Sequence, residues 1–345
     1  MTVPHNIYIH VPFCTSKCNY CTFYSVVCQP DWNAYAARIA NEIKYWGRQL
    51  GTVQVPSIFF GGGTPSLMPV STFAEIMDTL RTVLDIPSKT EITLEANPGT
   101  LSATRLAGFK TAGVNRLSVG VQSLDDNILQ FLGRRHNARA ARGLVKSAQD
   151  MGLRVSGDFI YGLPGQTVAN VEKMCRDILN MELRHASLYE LSIEPGTVFA
   201  QQKLRVPSNE IITEMYQIIG DILPRYEVSN YAALYEECRH NQNIWDGQPY
   251  IGIGQGACGR IFANGVWYEQ GEKCEPMDSK TRAVEKVMTG LRTTRGVLLT
   301  PDVRDVIDME FIGNNQKYLN ITDGRLAATH SGILILDNLL VKLLV

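Results

Sequence analysis

The stretch "IYIHVPFCTSKCNYC", residues 7–21, places a short β-rich run directly before three closely spaced cysteines, Cys14, Cys18 and Cys21. A C-x3-C-x2-C run is too tight for one helix face, so we expect a loop between a strand and a helix. Loops of this kind wrap cubane iron–sulfur clusters, because three thiolates must converge on one small object. Three ligands leave one metal position open, which is what catalysis or substrate binding requires.

Two other interpretations of these cysteines stay open. A structural zinc ion takes a closed set of four ligands, and either His10 or Cys28 would complete that set. Alternatively, the three cysteines are unrelated core residues. Three cysteines within eight positions rarely arise by accident, and the missing fourth ligand favours a cluster over zinc.

Composition excludes several classes of protein. The chain has 345 residues, of which 45% are hydrophobic and 19% are charged, with a net charge of -1. Such a balance is typical of a globular protein and predicts no nucleic-acid partner. No apolar run approaches the roughly 20 residues of a membrane helix, and the amino terminus lacks a signal-peptide pattern. We therefore expect a cytoplasmic protein whose eight cysteines stay reduced.

Strand-like and helical patterns alternate from residue 7 to about 195. The strand-like runs are 7–11, 56–60, 91–97, 116–121, 155–162 and 186–194, and the helical patterns are 32–49, 70–84, 102–112, 137–151 and 168–182. Six strand–helix units in a row imply parallel strands with right-handed crossovers, and hence an α/β fold. Six units are too few for a full eight-stranded barrel, so we expect a partial (β/α)6 barrel or a doubly wound sheet.

The alternation ends near residue 200, which suggests three segments. Residues 1–205 form the predicted barrel. Residues 206–278 are a connecting region that contains a helix over 208–223 and a Gly-, Tyr- and Asn-rich stretch with short strands. Residues 279–345 have helical patterns and a turn, which predict a small, mainly helical, winged-helix-like domain.

Unusual residues follow the predicted strands at their carboxyl ends, where both architectures place their chemistry. They are the cysteine loop, "GGGTP" (61–65), Glu95, Asn97, Gln122, Asp158 and Glu194. Glycines let a ligand approach the backbone closely, although a tight turn also uses them. A single carboxylate in such a strand is often structural, so the argument rests on their occurrence together.

The stretch "YIHVPFCTSKCNYC" (8–21), followed by "GGGTP", resembles the signature of the radical S-adenosylmethionine (SAM) superfamily. The resemblance implies a [4Fe-4S] cluster held by the three cysteines. It also implies that the methionyl amine and carboxylate of SAM chelate the open iron. An electron from the reduced cluster then cleaves the sulfonium bond and yields a 5'-deoxyadenosyl radical.

Further stretches resemble the porphyrin-related branch of that superfamily, namely "LEANP" (94–98), "GVQS" (120–123) and "DFIYGLPGQT" (158–167). The branch includes oxygen-independent coproporphyrinogen III dehydrogenases and the HemW family of heme chaperones. The resemblance implies a set of SAM contacts, with carboxylates at the ribose or amine and an arginine at the SAM carboxylate. These residues are Tyr8, Tyr20, Gly62, Gly63, Thr64, Glu95, Gln122, Arg134 and Asp158.

"ECRHNQNIW" (237–245) resembles a C-x-H-N-x-x-Y-W motif of the heme chaperone family, with Ile244 in place of the tyrosine. His240 or Cys238 is then a candidate axial ligand of heme iron, although a hydrogen-bonded histidine near the barrel mouth is an equal alternative. The family usually has a histidine where this chain has Cys258. That cysteine is either a substitute ligand or, as we expect, a small buried residue.

The stretch "GQGACG" (254–259) satisfies G-x-G-x-x-G, the pattern of dinucleotide-binding turns. Such a turn must open a helix, whereas "RIFANGVWYEQ" (260–270) is strand-like. We therefore reject a dinucleotide site at this position.

Two features favour the heme chaperones over the dehydrogenases. The dehydrogenases carry a further cysteine where this chain has Phe23, and a long segment before their cluster, whereas Cys14 comes early here. The resemblance then implies heme binding and transfer to a heme-accepting protein such as a respiratory cytochrome, with a separate electron donor protein. The alternatives are a radical SAM oxidoreductase that decarboxylates coproporphyrinogen III and an enzyme that alkylates or opens a tetrapyrrole. Whether the chain is an enzyme stays open.

Overall fold

The structure is a computed structural model that describes residues 3–345. Its strands are β1 Asn6–Val11, β2 Phe13–Cys14, β3 Val26–Val27, β4 Ser57–Gly62, β5 Glu91–Ala96, β6 Arg116–Gln122, β7 Arg154–Tyr161, β8 His185–Glu190, β9 Arg225–Glu227, β10 Asn230–Ala232, β11 Tyr250–Ile253, β12 Gly259–Ala263, β13 Val266–Gln270, β14 Cys274–Met277, β15 Val297–Leu298, β16 Leu319–Thr322 and β17 Arg325–Ala328. Its α-helices are α1 Trp32–Leu50, α2 Val70–Val83, α3 Ala103–Ala112, α4 Asp126–Phe131, α5 Ala138–Asp150, α6 Val168–Asn180, α7 Asn209–Ile219, α8 Arg239–Trp245, α9 Ser279–Gly290, α10 Pro301–Arg304, α11 Met309–Asn314, α12 His330–Ile333 and α13 Leu336–Leu343.

Six parallel strands, in the order β1-β4-β5-β6-β7-β8, form the centre of an open, barrel-like sheet. Helices follow the strands in the expected alternation, so the predicted partial (β/α)6 barrel is confirmed. The predicted strand and helix bounds agree with the structure to within a few residues. The exception is β8, which ends at Glu190 instead of residue 194.

Later parts of the chain extend this sheet at both ends. Strand β11 pairs in parallel with β1, and β12, β13 and β14 continue outward as antiparallel neighbours. At the opposite end, β10 pairs antiparallel with β8, and β9 with β10. The glycine-rich stretch at 254–259 connects β11 to the strand β12, so no helix opens there and the rejected dinucleotide turn is absent.

The two faces of the central sheet have opposite chemistry, because successive side chains of a strand point to opposite faces. The outer face is apolar and packs on the helices through residues such as Ile9, Ile58 and Leu94. The inner face is largely polar and includes Glu95, Ser118, Ser156, Asp158 and Ser187. A sheet of this kind is stabilised from outside and leaves its interior free for a site.

The helices begin where side chains satisfy their first free N–H groups. Asp31 accepts a hydrogen bond from the backbone N–H of Ala34 at the start of α1. Thr167 and Asn170 form a reciprocal capping box at the start of α6. Helix α1 then buries Ile39, Ile43 and Trp46, which follow one another at helical spacing.

The first residues of the central strands form a buried polar floor together with α8. The carboxylate of Glu91, at the start of β5, accepts the backbone N–H groups of Arg239 (3.1 Å) and His240 (2.9 Å) and pairs with Arg154 (2.9 Å). Burial would raise the pKa of Glu91, but Arg116, these N–H groups and Arg154 hold it below its ordinary value. The floor therefore depends on one ionised carboxylate.

The C-terminal part has its own apolar core, built from α9 to α13 and the small sheet β15-β17-β16. Strands β16 and β17 form a hairpin, as the predicted winged-helix-like arrangement requires. Arg292 connects this part to the sheet by an ion pair of 2.7 Å with the buried Glu227. No helix of residues 3–345 combines the length and the apolar character that crossing a bilayer requires.

We predict that Glu91→Ala destabilises the fold by about 3 kcal/mol, because Arg154 and two backbone N–H groups lose their acceptor and the buried charge of Arg116 loses a compensating carboxylate. The midpoint of urea unfolding, followed by circular dichroism on the cluster-free protein, measures this loss. The control is Asp78→Asn, which breaks an exposed pair with Arg81 and is expected to cost less than about 1 kcal/mol. Equal midpoints for Glu91→Ala and wild type would contradict the proposed role of the carboxylate.

Candidate cluster and cofactor cavity

A cavity of about 410 Å³ opens at the carboxyl ends of the central strands. The strands and their following loops supply its lining in the order that parallel pairing dictates. The lining includes Cys14, Cys18, Tyr20, Cys21, Phe23, Gly62, Gly63, Thr64, Glu95, Asn97, Ser118, Gly120, Gln122, Arg134, Asp158, Tyr189, Glu190 and Glu194. Most of the residues predicted to hold the cluster or SAM thus face one space.

The three cysteines lie at one side of this cavity, in the loop after β1. Burial and the neighbouring Cys18 and Cys14 sulfurs all raise the pKa of the Cys21 thiol. The three sulfurs therefore lie close enough to interact electrostatically. Thiolates this close repel each other, and cationic iron removes that repulsion. Their number, grouping and partial exposure therefore fit the three-cysteine side of a [4Fe-4S] cluster.

The absence of a side chain at Gly63 allows the cysteine loop to pack closely against the "GGGTP" turn. An added Cβ at this position would lie 2.8 Å from the Phe13 carbonyl oxygen and 2.9 Å from the Cys14 sulfur. Distances this short are overlaps, so only glycine allows the two loops to approach. The "GGGTP" turn thus acts as a cradle for the cysteine loop.

A chain of hydrogen bonds ties two of the cysteines together across the cavity. Thr64 Oγ1 donates to the Cys14 sulfur (3.5 Å) and accepts from the Asn97 side chain (3.1 Å). Asn97 in turn accepts from Arg134, whose other nitrogen donates to the Cys18 sulfur at 3.5 Å. Donors aimed at ligand sulfurs stabilise thiolates and adjust the reduction potential of a cluster.

The zinc alternative does not fit the contacts of its two proposed fourth ligands. Both ring nitrogens of His10 are occupied, one by the Tyr8 hydroxyl (3.0 Å) and the other by the Tyr24 carbonyl (2.9 Å). Cys28 is exposed and does not line the cavity. Within residues 3–345, no three Cys, His, Asp or Glu side chains are compact enough to hold a single ion, whereas cluster ligands bind separate irons.

Two carboxyl groups lie on the inner face beside the cavity. Burial, followed by the nearby Asp158, raises the pKa of Glu95 to about 8, although the Gly62 N–H donates to it at 3.1 Å. Burial also raises the pKa of Asp158, against hydrogen bonds from Ser187 and Ser118. Two partly uncompensated acids form a site that a cationic ligand would stabilise.

Gln122 ends β6 in the left-handed region, with φ of 62°, and lines the cavity. Left-handed backbone is costly for a residue other than glycine, and such strain occurs most often at functional sites. Tyr20 and Arg134 also line the cavity and contact each other, and Arg134 lies beside Gln122, since it donates to the Gly120 carbonyl at 2.9 Å. All three residues therefore lie where the sequence predicts SAM contacts.

Two predicted site residues lie outside the cavity. Tyr8 points into the barrel, where its ring stacks on Phe59 with centroids 6.2 Å apart. His240 lies at the floor, 2% exposed, with Nδ1 2.8 Å from the Ser57 hydroxyl and its ring 5.1 Å from that of Phe59. The structure therefore separates His240 from the cysteine cavity by the depth of the barrel.

The floor environment decides the chemistry of His240 and Cys238. Burial lowers the pKa of His240 to about 4, so the ring is neutral, and its Nε2 has no hydrogen-bond partner within residues 3–345. Burial also raises the pKa of the Cys238 thiol to about 12. Both side chains belong to the start of α8 and are buried against Ser57, Phe59 and Glu91 of the neighbouring strands, so heme iron would reach them only if α8 moved away from those strands.

The expectation that Cys258 is buried is wrong. Cys258 is exposed, because the turn from β11 to β12 crosses the surface at this point. Cys175 is buried in α6, as a core residue should be, whereas Cys28 and Cys274 are exposed.

The sequence placed Asn97 at the end of a predicted strand without giving it a role, and it did not single out Ser118 or Tyr189. Asn97 directly follows β5 and bridges Thr64 to Arg134, while Ser118 donates to Asp158 at 3.0 Å. A signal for Asn97 and Ser118 exists in the alternation of polar and apolar residues within β5 and β6. Tyr189 is harder to find, since its strand has an ordinary amphipathic pattern.

We predict that Gly63→Ala loses most of its cluster iron, because the added methyl group overlaps the Cys14 sulfur. Iron and sulfide per chain after anaerobic reconstitution measure this loss. The matched control is Gly143→Ala in α5, where an added Cβ meets nothing within 4 Å. Full iron in both variants would show that the close approach at Gly63 is not needed for the cluster.

Comparison with known proteins agrees with this arrangement. The model of the radical SAM superfamily matches residues 8–178. Coproporphyrinogen III oxidase (HemN) of Escherichia coli, a radical SAM enzyme, superimposes with a TM-score of 0.81 over 98% of this chain and 89% of its own. At 19% identity, that likeness shows the shared fold alone.

Two relatives carry the sequence comparison further. The chain is 38% identical over 306 residues to the bovine (Bos taurus) mitochondrial radical S-adenosyl methionine domain-containing protein 1, covering 85% of this chain and 69% of that protein. It is 35% identical over 270 residues to the heme chaperone HemW of Haemophilus influenzae, covering 75% and 70% respectively. The chain therefore belongs to the radical SAM superfamily and, within it, to the HemW family.

Proposed function

We propose that this protein is a heme chaperone that holds a [4Fe-4S] cluster and SAM and binds heme for transfer to an acceptor protein. The observation that carries the proposal is the similarity to HemW along most of the chain, joined to a cavity that gathers three cysteines and the predicted SAM contacts. The coproporphyrinogen oxidase function is second, since its support is a structural likeness at 19% identity.

The cavity residues have separate tasks in this proposal. Cys14, Cys18 and Cys21 bind three irons, and the bound pair of cluster and SAM supplies reductive cleavage of a sulfonium bond. The "GGGTP" turn offers backbone carbonyl groups to an ammonium group, which has only donors. Arg134 holds a carboxylate, while Gln122 contacts the ribose.

Glu95 and Asp158 balance the charge of the ligand. SAM carries a sulfonium cation, and the two buried acids provide the nearest negative charge inside the barrel. Glu95 is protonated in the empty cavity below pH 8 and loses its proton when the cation binds. Tyr8 acts from outside the cavity, by fixing His10 and the adjoining strand β4.

The remaining partners are the heme acceptor, for which a respiratory cytochrome is our choice, and an electron donor protein. We place the protein in the cytoplasm, where its free cysteines stay reduced. His240 stays a candidate heme ligand, because a neutral imidazole with an unpaired Nε2 is chemically able to bind iron. Its enclosure at the floor requires α8 to open first.

We predict that SAM affinity rises with pH up to about pH 8 and then levels off. Below that value Glu95 must release a proton before it can pair with the cation, so affinity falls by up to about tenfold per pH unit. Isothermal titration calorimetry of the reconstituted protein between about pH 6.5 and pH 9 measures the slope. Glu95→Gln removes the part of the slope that belongs to Glu95 and leaves the titration of SAM itself in place. Identical slopes in the two proteins would rule out this role.

The function is tested by two experiments on one preparation of reconstituted protein, a hemin titration and an incubation with coproporphyrinogen III. We expect tight hemin binding, seen as a new heme absorbance band, and unchanged coproporphyrinogen III after incubation with SAM and reductant. Mass spectrometry that detects loss of two carboxyl groups would replace the chaperone by the oxidoreductase. Cys18→Ala, which disables the cluster, controls for reactions that do not need it, and Cys28→Ser should behave as wild type.

A further inference from the structure

Large apolar side chains project into solvent from the cysteine loop beside the cavity. Phe23 is 66% exposed and Val27 57%, and Tyr24 and Val26 lie between them at 45% and 43%. We call these four residues the loop rim. Phe23 also lines the cavity, and β3 fixes Val26 and Val27 beside β2. The exposure is therefore built into a short, paired segment.

A second group of exposed apolar residues lies at the end of β8 and on the stretch that follows it, and both of these segments contribute to the lining of the cavity. Tyr189, Ile193 and Val198 are 44%, 37% and 45% exposed, and we call them the strand rim. The stretch is held against the cysteine loop, because the Phe199 N–H donates to the Asn19 carbonyl at 3.0 Å. Phe23 and Tyr189 both line the cavity, so its mouth has apolar surface from the cysteine loop and from β8, and the other rim residues follow these two in the sequence.

The two sides of the mouth differ in charge. Lys17 lines the cavity and is exposed on the cysteine loop. Arg135 is exposed beside the same loop and donates to the Thr15 carbonyl at 3.4 Å. Glu190 and Glu194 line the other side. An apolar ligand with negative charge at one edge would match this surface in one orientation.

Heme has that combination of properties, since its macrocycle is flat and apolar and its two propionates lie at one edge. Continuous exposed apolar surface on a globular protein commonly marks a binding site. By contrast, His240 is 2% exposed and enclosed at the opposite end of the barrel. The mouth is accessible in the folded protein without any movement of α8.

We propose that heme docks across the mouth of the cysteine cavity, with its macrocycle between the loop rim and the strand rim and its propionates toward Lys17 and Arg135. The inference rests on the proposed function, because it names the place where a heme chaperone would hold its heme. Heme in this position covers the cluster cavity and leaves one face of the macrocycle free for an acceptor.

The test is a hemin titration of the reconstituted protein with SAM under anaerobic conditions. We expect the double variant Phe23→Ser with Val27→Ser to bind hemin at least about tenfold more weakly than wild type, because it removes apolar contact area. The control is Leu234→Ser with Val341→Ser, which removes apolar groups that are at least as exposed (68% and 82%) elsewhere and should stay within about twofold. Unchanged iron content confirms that each variant keeps its cluster.

A second pair of titrations tests the orientation of heme. Lys17→Glu with Arg135→Glu should weaken binding of hemin by about five- to tenfold. The same variant should bind the dimethyl ester of hemin within about twofold of wild type, because the ester has no propionate charge. Equal losses for both ligands would contradict the propionate contacts.

The outcomes separate the inference from the function on which it rests. Wild type that fails to bind hemin overturns the chaperone function itself. Wild type that binds, together with a loop-rim variant that binds equally well, overturns only the docking site. Loss of binding in His240→Ala alone would move the site to the floor. If the loop-rim variant instead changes the sedimentation coefficient and not hemin affinity, the mouth is an interface between copies of this chain.

Discussion

The carboxylate of Glu91 is buried, so it stays ionised only because neighbouring positive charges and N–H donors stabilise its negative charge. These neighbours include the start of α8, which covers one end of the barrel. Two arginines and the first N–H groups of α8 converge on it, so the segment that carries His240 is fixed beneath the strands. A floor of this kind leaves the carboxyl ends of the strands as the accessible entrance. The Glu91 carboxylate holds α8 over the floor of the barrel, and ligands therefore approach from the carboxyl ends of the strands.

Local sequence patterns predicted the central part of the fold well, because a parallel α/β unit is mainly a local structure. The sequence itself contains the polar residues that cap α1 and α6 and the apolar runs that form β4 to β7. Strands β9 to β14 were harder, since short strands depend on partners that are distant in the sequence. Strand β11, for example, is a strand because it pairs with β1.

The same distinction explains the candidate site. Parallel strands bring their carboxyl ends together, so the cysteine loop, the glycine turn, Glu95, Gln122 and Asp158 could be grouped without coordinates. The bridge through Asn97 could not, since a hydrogen bond from Arg134 crosses between distant segments. For His240, the sequence predicted the chemistry of the side chain but not its position in the barrel. Its motif predicts chemistry, but its depth in the barrel follows from Ser57 and Glu91, which the motif does not contain.

The sheet is open, and its outermost strands are β14 and β9. In a closed barrel the number of strands and their stagger set the radius, so a wider ligand requires another strand. Here the ends of the sheet are not joined to each other, and loops and side chains set the width of the interior. Relatives built on the same strands can therefore accommodate ligands of different size by changing a few residues at the edges, with the backbone of the cluster site left intact.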